Sequence, residues 1–390
     1  MTQDNLSAKA GAERRTLSAR MGEVDFDKAP FTVVWEVTRA CALACKHCRA
    51  EAQPRRHPEE LDHDEGMALL DQIREFGNPI MVFTGGDPMM RRDLFDLLGK
   101  SVDIGLRTSL TPTATALVTR DRLERVRDVG ISRVALSLDG PDAETHDYLR
   151  GFKGTFDRTI GILKTAQDVG LSVQVNTSVT RRTAPKLREL VPMLTGLGIV
   201  QWSVFFLVPT GRGQHDDMIS AEEHEDLFNW LWELSKESPF DIKSTAAQHY
   251  RRVAIQREKA LAQAEGEQRS VTFAGAGFQY ADGLHRPMKG VNDGRGIVFI
   301  SHTGDVCPSG FLPLVGGNIR DHSLGEIYRD STLFRELRDT DLLKGKCGVC
   351  EYKTVCGGNR GRAYAMTGDY LASESLCVHE PAAARAPVTV

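Results

Sequence analysis

The sequence predicts an α/β protein: a partial (β/α)6 barrel of the TIM type, followed by a small cysteine-rich α+β unit. Three observations point there. Between residues 31 and 208, short β-branched and aromatic runs alternate with longer amphipathic ones. Glycine and polar residues gather directly after the apolar runs, where barrel enzymes place their chemistry. The eight cysteines fall into two groups, Cys41, Cys45 and Cys48 near the start and Cys307, Cys347, Cys350, Cys356 and Cys377 near the end.

Residues 31–37 (FTVVWEV) read as a buried strand that ends at the first cysteine group. Strand-like and helical segments then alternate: 80–83 strand, 93–98 helix, 104–107 strand, 122–129 helix, 134–138 strand, 155–169 helix, 172–179 strand, 184–197 helix and 202–208 strand. Alternation of this kind implies a parallel sheet with helical crossovers, and a doubly wound sheet is the alternative closure. The barrel is expected over residues 29–219. Residues 220–295 read as a bridge, helical and charged at first and glycine-rich later, and 296–390 as the cysteine-rich unit, opening with a hairpin around the turn His302-Thr303-Gly304-Asp305.

Of the 390 residues 41% are hydrophobic and 26% charged, an ordinary globular balance that supports one large domain and a smaller one. The net charge of −4 comes from interleaved acids and bases, so neither nucleic acid nor an anionic membrane is an expected partner. No apolar run approaches the roughly 18 residues that a membrane helix needs. Residues 1–28 are polar and lack the apolar core of a secretion signal, which predicts a flexible leader on a cytoplasmic protein. In that compartment, cysteines at loop spacings point to metal ligation before disulfides.

Cys41-Ala-Leu-Ala-Cys45-Lys-His-Cys48 puts three thiolates within eight residues, and it lacks a fourth. A 4Fe-4S cluster ordinarily takes four ligands, so three leave one iron open to an exogenous chelate. An incomplete zinc site or three buried thiols would be the non-catalytic readings. Met81-Val-Phe-Thr-Gly85-Gly86-Asp87-Pro88 sets two glycines and an acid just after a strand, where the backbone can approach a ligand. Ser137, Asp139 and Asn176 are polar side chains at the ends of apolar strands, placed to hydrogen-bond a ribose or a carboxylate. Cys347, Cys350, Cys356 and Cys377 supply four thiolates, a complete set for zinc or for 4Fe-4S.

The CxxxCxxC pattern and the Gly-Gly-Asp-Pro string together resemble the radical S-adenosylmethionine (SAM) superfamily. The resemblance implies that Cys41, Cys45 and Cys48 hold a 4Fe-4S cluster whose open iron chelates SAM. It implies electron transfer from a donor such as a flavodoxin or ferredoxin, and cleavage of SAM to methionine and a 5′-deoxyadenosyl radical. Gly85, Gly86 and Asp87 would bind the SAM amino group, with Asp in place of the commoner Glu, and His47 would contact adenine. The C-terminal CxxCx5C with Cys377 is similar to SPASM and twitch extensions, which hold an auxiliary 4Fe-4S cluster. Arg360 stands where a further cysteine would fall in the full SPASM pattern, so one auxiliary cluster is expected. Cys307 is then left as a substrate-facing thiol, a ligand or a packed residue.

Trp35-Glu-Val-Thr-Arg39, Val306-Cys-Pro-Ser-Gly-Phe-Leu-Pro313 and Cys356-Gly-Gly-Asn-Arg-Gly-Arg-Ala-Tyr-Ala365 are similar to the tetrapyrrole branch of that superfamily. The similarity implies hydrogen abstraction from a porphyrin propionate followed by fragmentation such as loss of carbon dioxide. Arg360 and Arg362 are candidate carboxylate partners. The same architecture serves enzymes that modify ribosomal peptides, sugars or nucleosides, so a peptide substrate stays open.

Overall fold

The computed structural model describes residues 24–266 and 290–385. Its first part alternates strand and helix: β1 (Thr32–Glu36), α1 (His63–Glu75), β2 (Ile80–Thr84), α2 (Leu94–Asp103), β3 (Arg107–Leu110), α3 (Arg120–Val129) and β4 (Arg133–Ser137). Then come α4 (Ala143–Arg150), α5 (Thr155–Asp168), β5 (Val173–Val179), α6 (Leu187–Gly196), β6 (Gln201–Phe206), α7 (Ala221–Glu237), β7 (Asp241–Thr245) and α8 (Tyr250–Ala264). Strands β1 to β7 pair in chain order, all parallel. The remainder contributes β8 (Asn292–Asp293), β9 (Gly296–Ile300), β10 (Asp305–Cys307), β11 (Gly317–Asn318), α9 (Leu324–Asp330), α10 (Thr332–Arg338), a helical turn α11 (Gly345–Gly348) and α12 (Arg360–Thr367).

Local chemistry explains the boundaries. Asp62 and Glu65 form a reciprocal capping box that starts α1, and Gly130, at φ +95°, ends α3. Along β5, residues 173, 175, 177 and 179 are buried under helices, while Gln174, Asn176 and Ser178 face the other way. Trp35, Phe83 and Trp202 are fully buried, each contributing about 1.5–3 kcal/mol by leaving water. The inner face is polar: Ser137, Asn176, Ser203 and Lys243 are successive register partners across β4 to β7.

The sheet curls. Arg212 N–H donates to the Cys48 carbonyl (3.0 Å) and Arg212 Nε to the Cys45 carbonyl (2.8 Å), joining the loops that follow β6 and β1. Those strands lie five steps apart, about 24 Å on a flat sheet. The edges β7 and β11 do not pair among the described residues, so the barrel is partial.

Several sequence expectations shift. The third strand falls at Arg107–Leu110, not 104–107, because Gly105 (φ +82°) ends α2 and leaves Ile104 and Leu106 in the turn. The sixth strand stops at Phe206, and Leu207 and Val208 leave it as loop. Helices α1 and α4 lie in stretches given no element. The segment 220–295 carries β7, a seventh parallel strand paired with β6, so the sheet continues beyond residue 219. Of its glycine-rich part, expected over residues 273–296, residues 273–289 lie outside the described residues, as do residues 1–23 of the expected leader. The expected hairpin forms as β9 and β10, yet β9 also runs parallel to β1, so residue 296 is no break in the sheet. No described helix is long and apolar enough to cross a membrane.

Candidate functional site

After β1 the chain enters the loop that carries the first three cysteines. Cys41 N–H to the Gln53 carbonyl (2.8 Å) and Gln53 N–H to the Arg39 carbonyl (2.9 Å) close its base. Each sulfur accepts a donor: Leu43 N–H on Cys41 (3.3 Å), Ala52 N–H on Cys48 (3.5 Å) and Arg150 Nη1 on Cys45 (3.9 Å). Burial pushes the Cys41 thiol up to about 11, and it raises Cys45 as well against the pull of Arg150. Free thiols so placed are poor nucleophiles, whereas N–H donors aimed at sulfur suit a bound cluster.

A cavity of about 1010 Å³, counted with its open mouth, adjoins the three cysteines. Gly85, Gly86, Thr113, Ser137, Ser178 and the run Phe205 to Val208 line it, all at or just beyond strand C-termini, and Phe311 reaches in from the C-terminal unit. His47 Nδ1 and Arg150 Nε, on residues of this wall, are buried without a hydrogen-bond partner among the described residues. Orphaned polar atoms of this kind, beside three thiols, fit a cluster and a polar cofactor.

The two glycines also permit a close backbone approach. A Cβ on Gly86 would lie 2.6 Å from the carbonyl oxygens of Ala40 and Arg39, and one on Gly85 2.6 Å from that of Thr38. They let the β2 loop press against the cysteine loop, and the backbone so fixed forms part of the cavity wall. Asp87 is turned inward: it is fully buried, and its carboxylate accepts from Thr115 Oγ1 (2.7 Å) and Met89 N–H (3.1 Å), capping a 3-10 turn. It belongs to the support of the glycine loop and does not line the cavity.

Asp139 is likewise fully buried. Arg150 Nη2 lies 2.6 Å from its carboxylate, Ser178 N–H donates to it (2.8 Å) and His47 Nε2 stands 3.8 Å away. Burial would raise this carboxyl, but Arg150, His47 and His146 outweigh it and hold it at about 2. Burial drives His47 down to about 4, so the imidazole is neutral near pH 7. Asn176 accepts from Gln174 Nε2 (2.7 Å) and does not reach the cavity; Ser178, one step further along the same face, does. Thus His47, Gly85, Gly86 and Ser137 join the three cysteines at the cavity, while Asp87, Asp139 and Asn176 stand behind it.

Sequence reasoning missed Arg150 and Ser178, which no local motif marks; Phe311 and Glu36 stood only within the signature strings. Glu36 ends β1 fully buried, with Arg39 Nε, Arg49 Nη2 and His302 Nδ1 at 3.0, 3.0 and 3.1 Å. Burial opposes its ionisation, but these partners hold it at about 2.

Cys347, Cys350, Cys356 and Cys377 surround a second cavity of about 400 Å³. Backbone N–H groups again point at sulfur: Glu374 on Cys347 (3.3 Å), Tyr352 on Cys350 (3.4 Å) and Gly358 on Cys356 (3.4 Å). Arg252, Lys346, Lys353 and His249 make the wall cationic or protic. Burial pushes Cys356 up to about 12, so only ligation would ionise it. Cys307 lines neither cavity; it is buried in β10 opposite Phe299, a packed residue.

Arg360 and Arg362 line neither cavity. Both are buried: Arg360 Nη1 donates to the carbonyls of Tyr370 (3.0 Å) and Ala372 (2.6 Å). Arg362 pairs with Glu374 (3.0 Å) and donates to the carbonyls of Ala246 (2.8 Å) and Leu207 (3.2 Å), tying the first cavity's wall to the second.

Residues 35–183 match the radical SAM superfamily, and residues 292–351 match SPASM, an iron-sulfur cluster-binding domain. The AdoMet-dependent heme synthase of Nitratidesulfovibrio vulgaris is 42% identical over 90% of this chain and 92% of its own. That of Oleidesulfovibrio alaskensis is 40% identical over 95% and 94%. Among solved structures, Streptococcus suis SuiB bound to S-adenosylmethionine superposes with a TM-score of 0.68 over 90% of this chain and 78% of that one, at 17% identity, a likeness of fold.

Proposed function

The chain belongs to the radical SAM superfamily, and on that premise we propose that it is a cytoplasmic, SAM-dependent heme synthase that decarboxylates propionate side chains of an iron-coproporphyrin. The observation that carries the proposal is the first cavity, where a three-thiol loop, glycine backbone and an aromatic wall of Phe205, Phe206 and Phe311 meet. A flat macrocycle needs such a wall.

Cys41, Cys45 and Cys48 would hold the 4Fe-4S cluster, and Cys347, Cys350, Cys356 and Cys377 the auxiliary one. When bound, the first cluster and SAM would supply a 5′-deoxyadenosyl radical able to take a hydrogen atom from the propionate; loss of carbon dioxide, with one electron passed to the centre held by the second cysteine set, would leave a vinyl group. The chain's own residues orient and shield. The backbone at Gly85 and Gly86, Ser137, Ser178 and the neutral His47 bind and position SAM, and Arg150 faces its carboxylate. Asp139 holds Arg150 and His47 in place; Asp87 holds the glycine loop.

Lys243 is on the inner face, the register partner of Ser203, and does not line the first cavity; burial, with Arg133 and Arg251, pushes it down to about 8. The electron donor is of the flavodoxin or ferredoxin kind.

The test is anaerobic incubation of reconstituted protein with SAM, dithionite and iron-coproporphyrin III deuterated on its propionates. Mass spectrometry should find porphyrin lacking carbon dioxide and deuterium in 5′-deoxyadenosine. Deoxyadenosine formed without deuterium, with porphyrin unchanged, would refute the substrate.

A further inference from the structure

A column of rings links the two cavities. Phe206 lines the first; its ring stacks on His224 (centroids 5.0 Å, 30° between planes), and His224 stacks on His249 (5.6 Å, 30°). Phe228 packs edge-on against His249 at 4.7 Å, and His249 lines the cavity of the four cysteines. The two histidines differ. His224 Nδ1 lies 2.7 Å from the Ser220 carbonyl oxygen, which fixes its proton there. His249 is 1% exposed, and neither of its ring nitrogens has a hydrogen-bond partner among the described residues. Arg252 on the same wall shows the same feature in part: Glu225 and Gln256 take its Nη atoms, and its Nε is left unpartnered.

An imidazole carries at least one N–H, and a buried donor without an acceptor is disfavoured. The ring is clamped by His224 and Phe228, so rotation away from the cavity is blocked. What the cavity is built to hold is a sulfur-rich centre, and sulfur accepts hydrogen bonds.

We propose that His249 donates its ring N–H to a sulfur of the iron-sulfur centre held by Cys347, Cys350, Cys356 and Cys377, and so helps set that centre's reduction potential. The proposal rests on the reading of those four cysteines as cluster ligands. A donor to sulfur stabilises the reduced, more negative state, so its removal lowers the potential. His249 is a positioning residue: it acts on the second centre and touches no reacting atom.

The experiment uses full-length protein with Cys41, Cys45 and Cys48 changed to Ala, so that only the second centre gives a signal. Pulsed EPR of the reduced centre, with 15N-labelled histidine, should show a nitrogen coupling that His249→Phe abolishes. In an EPR-monitored redox titration the His249→Phe midpoint should move negative, and His249→Gln, which keeps an N–H, should recover part of the shift. Iron content and circular dichroism certify each variant's folding. Absence of the coupling in the chain that retains His249, or an unmoved midpoint in a folded His249→Phe protein, overturns the proposal. A chain that retains His249 and binds no iron at this site overturns the ligand reading itself.

Discussion

The two cysteine sites are built alike and end differently. In each, N–H donors aim at sulfur and burial keeps free thiols protonated. The first has three cysteines beside a cavity of about 1010 Å³ with glycine backbone, serines and aromatic rings; the second has four around about 400 Å³, with Arg252, Lys346 and Lys353 in the wall. Three ligands and open room admit a second molecule to the iron. Four ligands and a cationic wall close the coordination shell and favour an added electron.

The contrast breaks most visibly when a site is removed. Cys41→Ala should abolish 5′-deoxyadenosine formation and lower iron from about eight to about four atoms per chain, as read by chromatography and iron assay. Replacing Cys347, Cys350 and Cys356 together by Ala should remove as much iron yet leave deoxyadenosine formation in place, while the decarboxylated porphyrin disappears. Loss of both products from soluble protein would mean that the second site serves the first.

The link between the sites is next. Arg362→Met leaves the Glu374 carboxylate buried and unpaired and should cost about 3–5 kcal/mol in denaturant unfolding. Burial pushes Glu374 up, but Arg362 and His249 with backbone donors hold it at about 2, below its ordinary 4.5. Its contribution to stability is therefore complete above pH 4.5 and is lost as pH falls toward 2. Glu374→Gln should flatten that part of the stability profile.

The smallest effect belongs to the clamp behind the first cavity. Asp139→Asn removes the charge that holds Arg150 and His47, and should weaken SAM about tenfold, near 1.4 kcal/mol, in equilibrium binding. Iron content should not change.

Much of this was legible in the sequence because it is local. The cysteine spacings, the glycine pair and the alternation of strand and helix patterns are local, and five of the strands follow from them in place, with the third displaced to Arg107–Leu110. What was not legible depends on chain distant in sequence. Arg150 reaches Cys45 only because α4 folds back over the cysteine loop, and Phe311 enters the cavity because β9 pairs with β1. Arg360 and Arg362 read as candidate partners of a substrate carboxylate because sequence does not show burial; Glu374, twelve residues on, claims Arg362. Asp87 and Asp139 read from the sequence as cofactor contacts, but their side chains are fully buried and do not line the cavity. Strand β7 was missed because a polar inner face, Asp241 and Lys243, interrupts its apolar pattern.

The measurement that tests the central distinction most directly is the EPR spectrum of each site alone, reduced, with and without SAM. With Cys347, Cys350 and Cys356 changed to Ala, SAM should alter the spectrum of the remaining cluster. With Cys41, Cys45 and Cys48 changed to Ala, SAM should leave it unaltered. A SAM-dependent change in the second protein, or none in the first, would contradict the assignment of the open and the closed site.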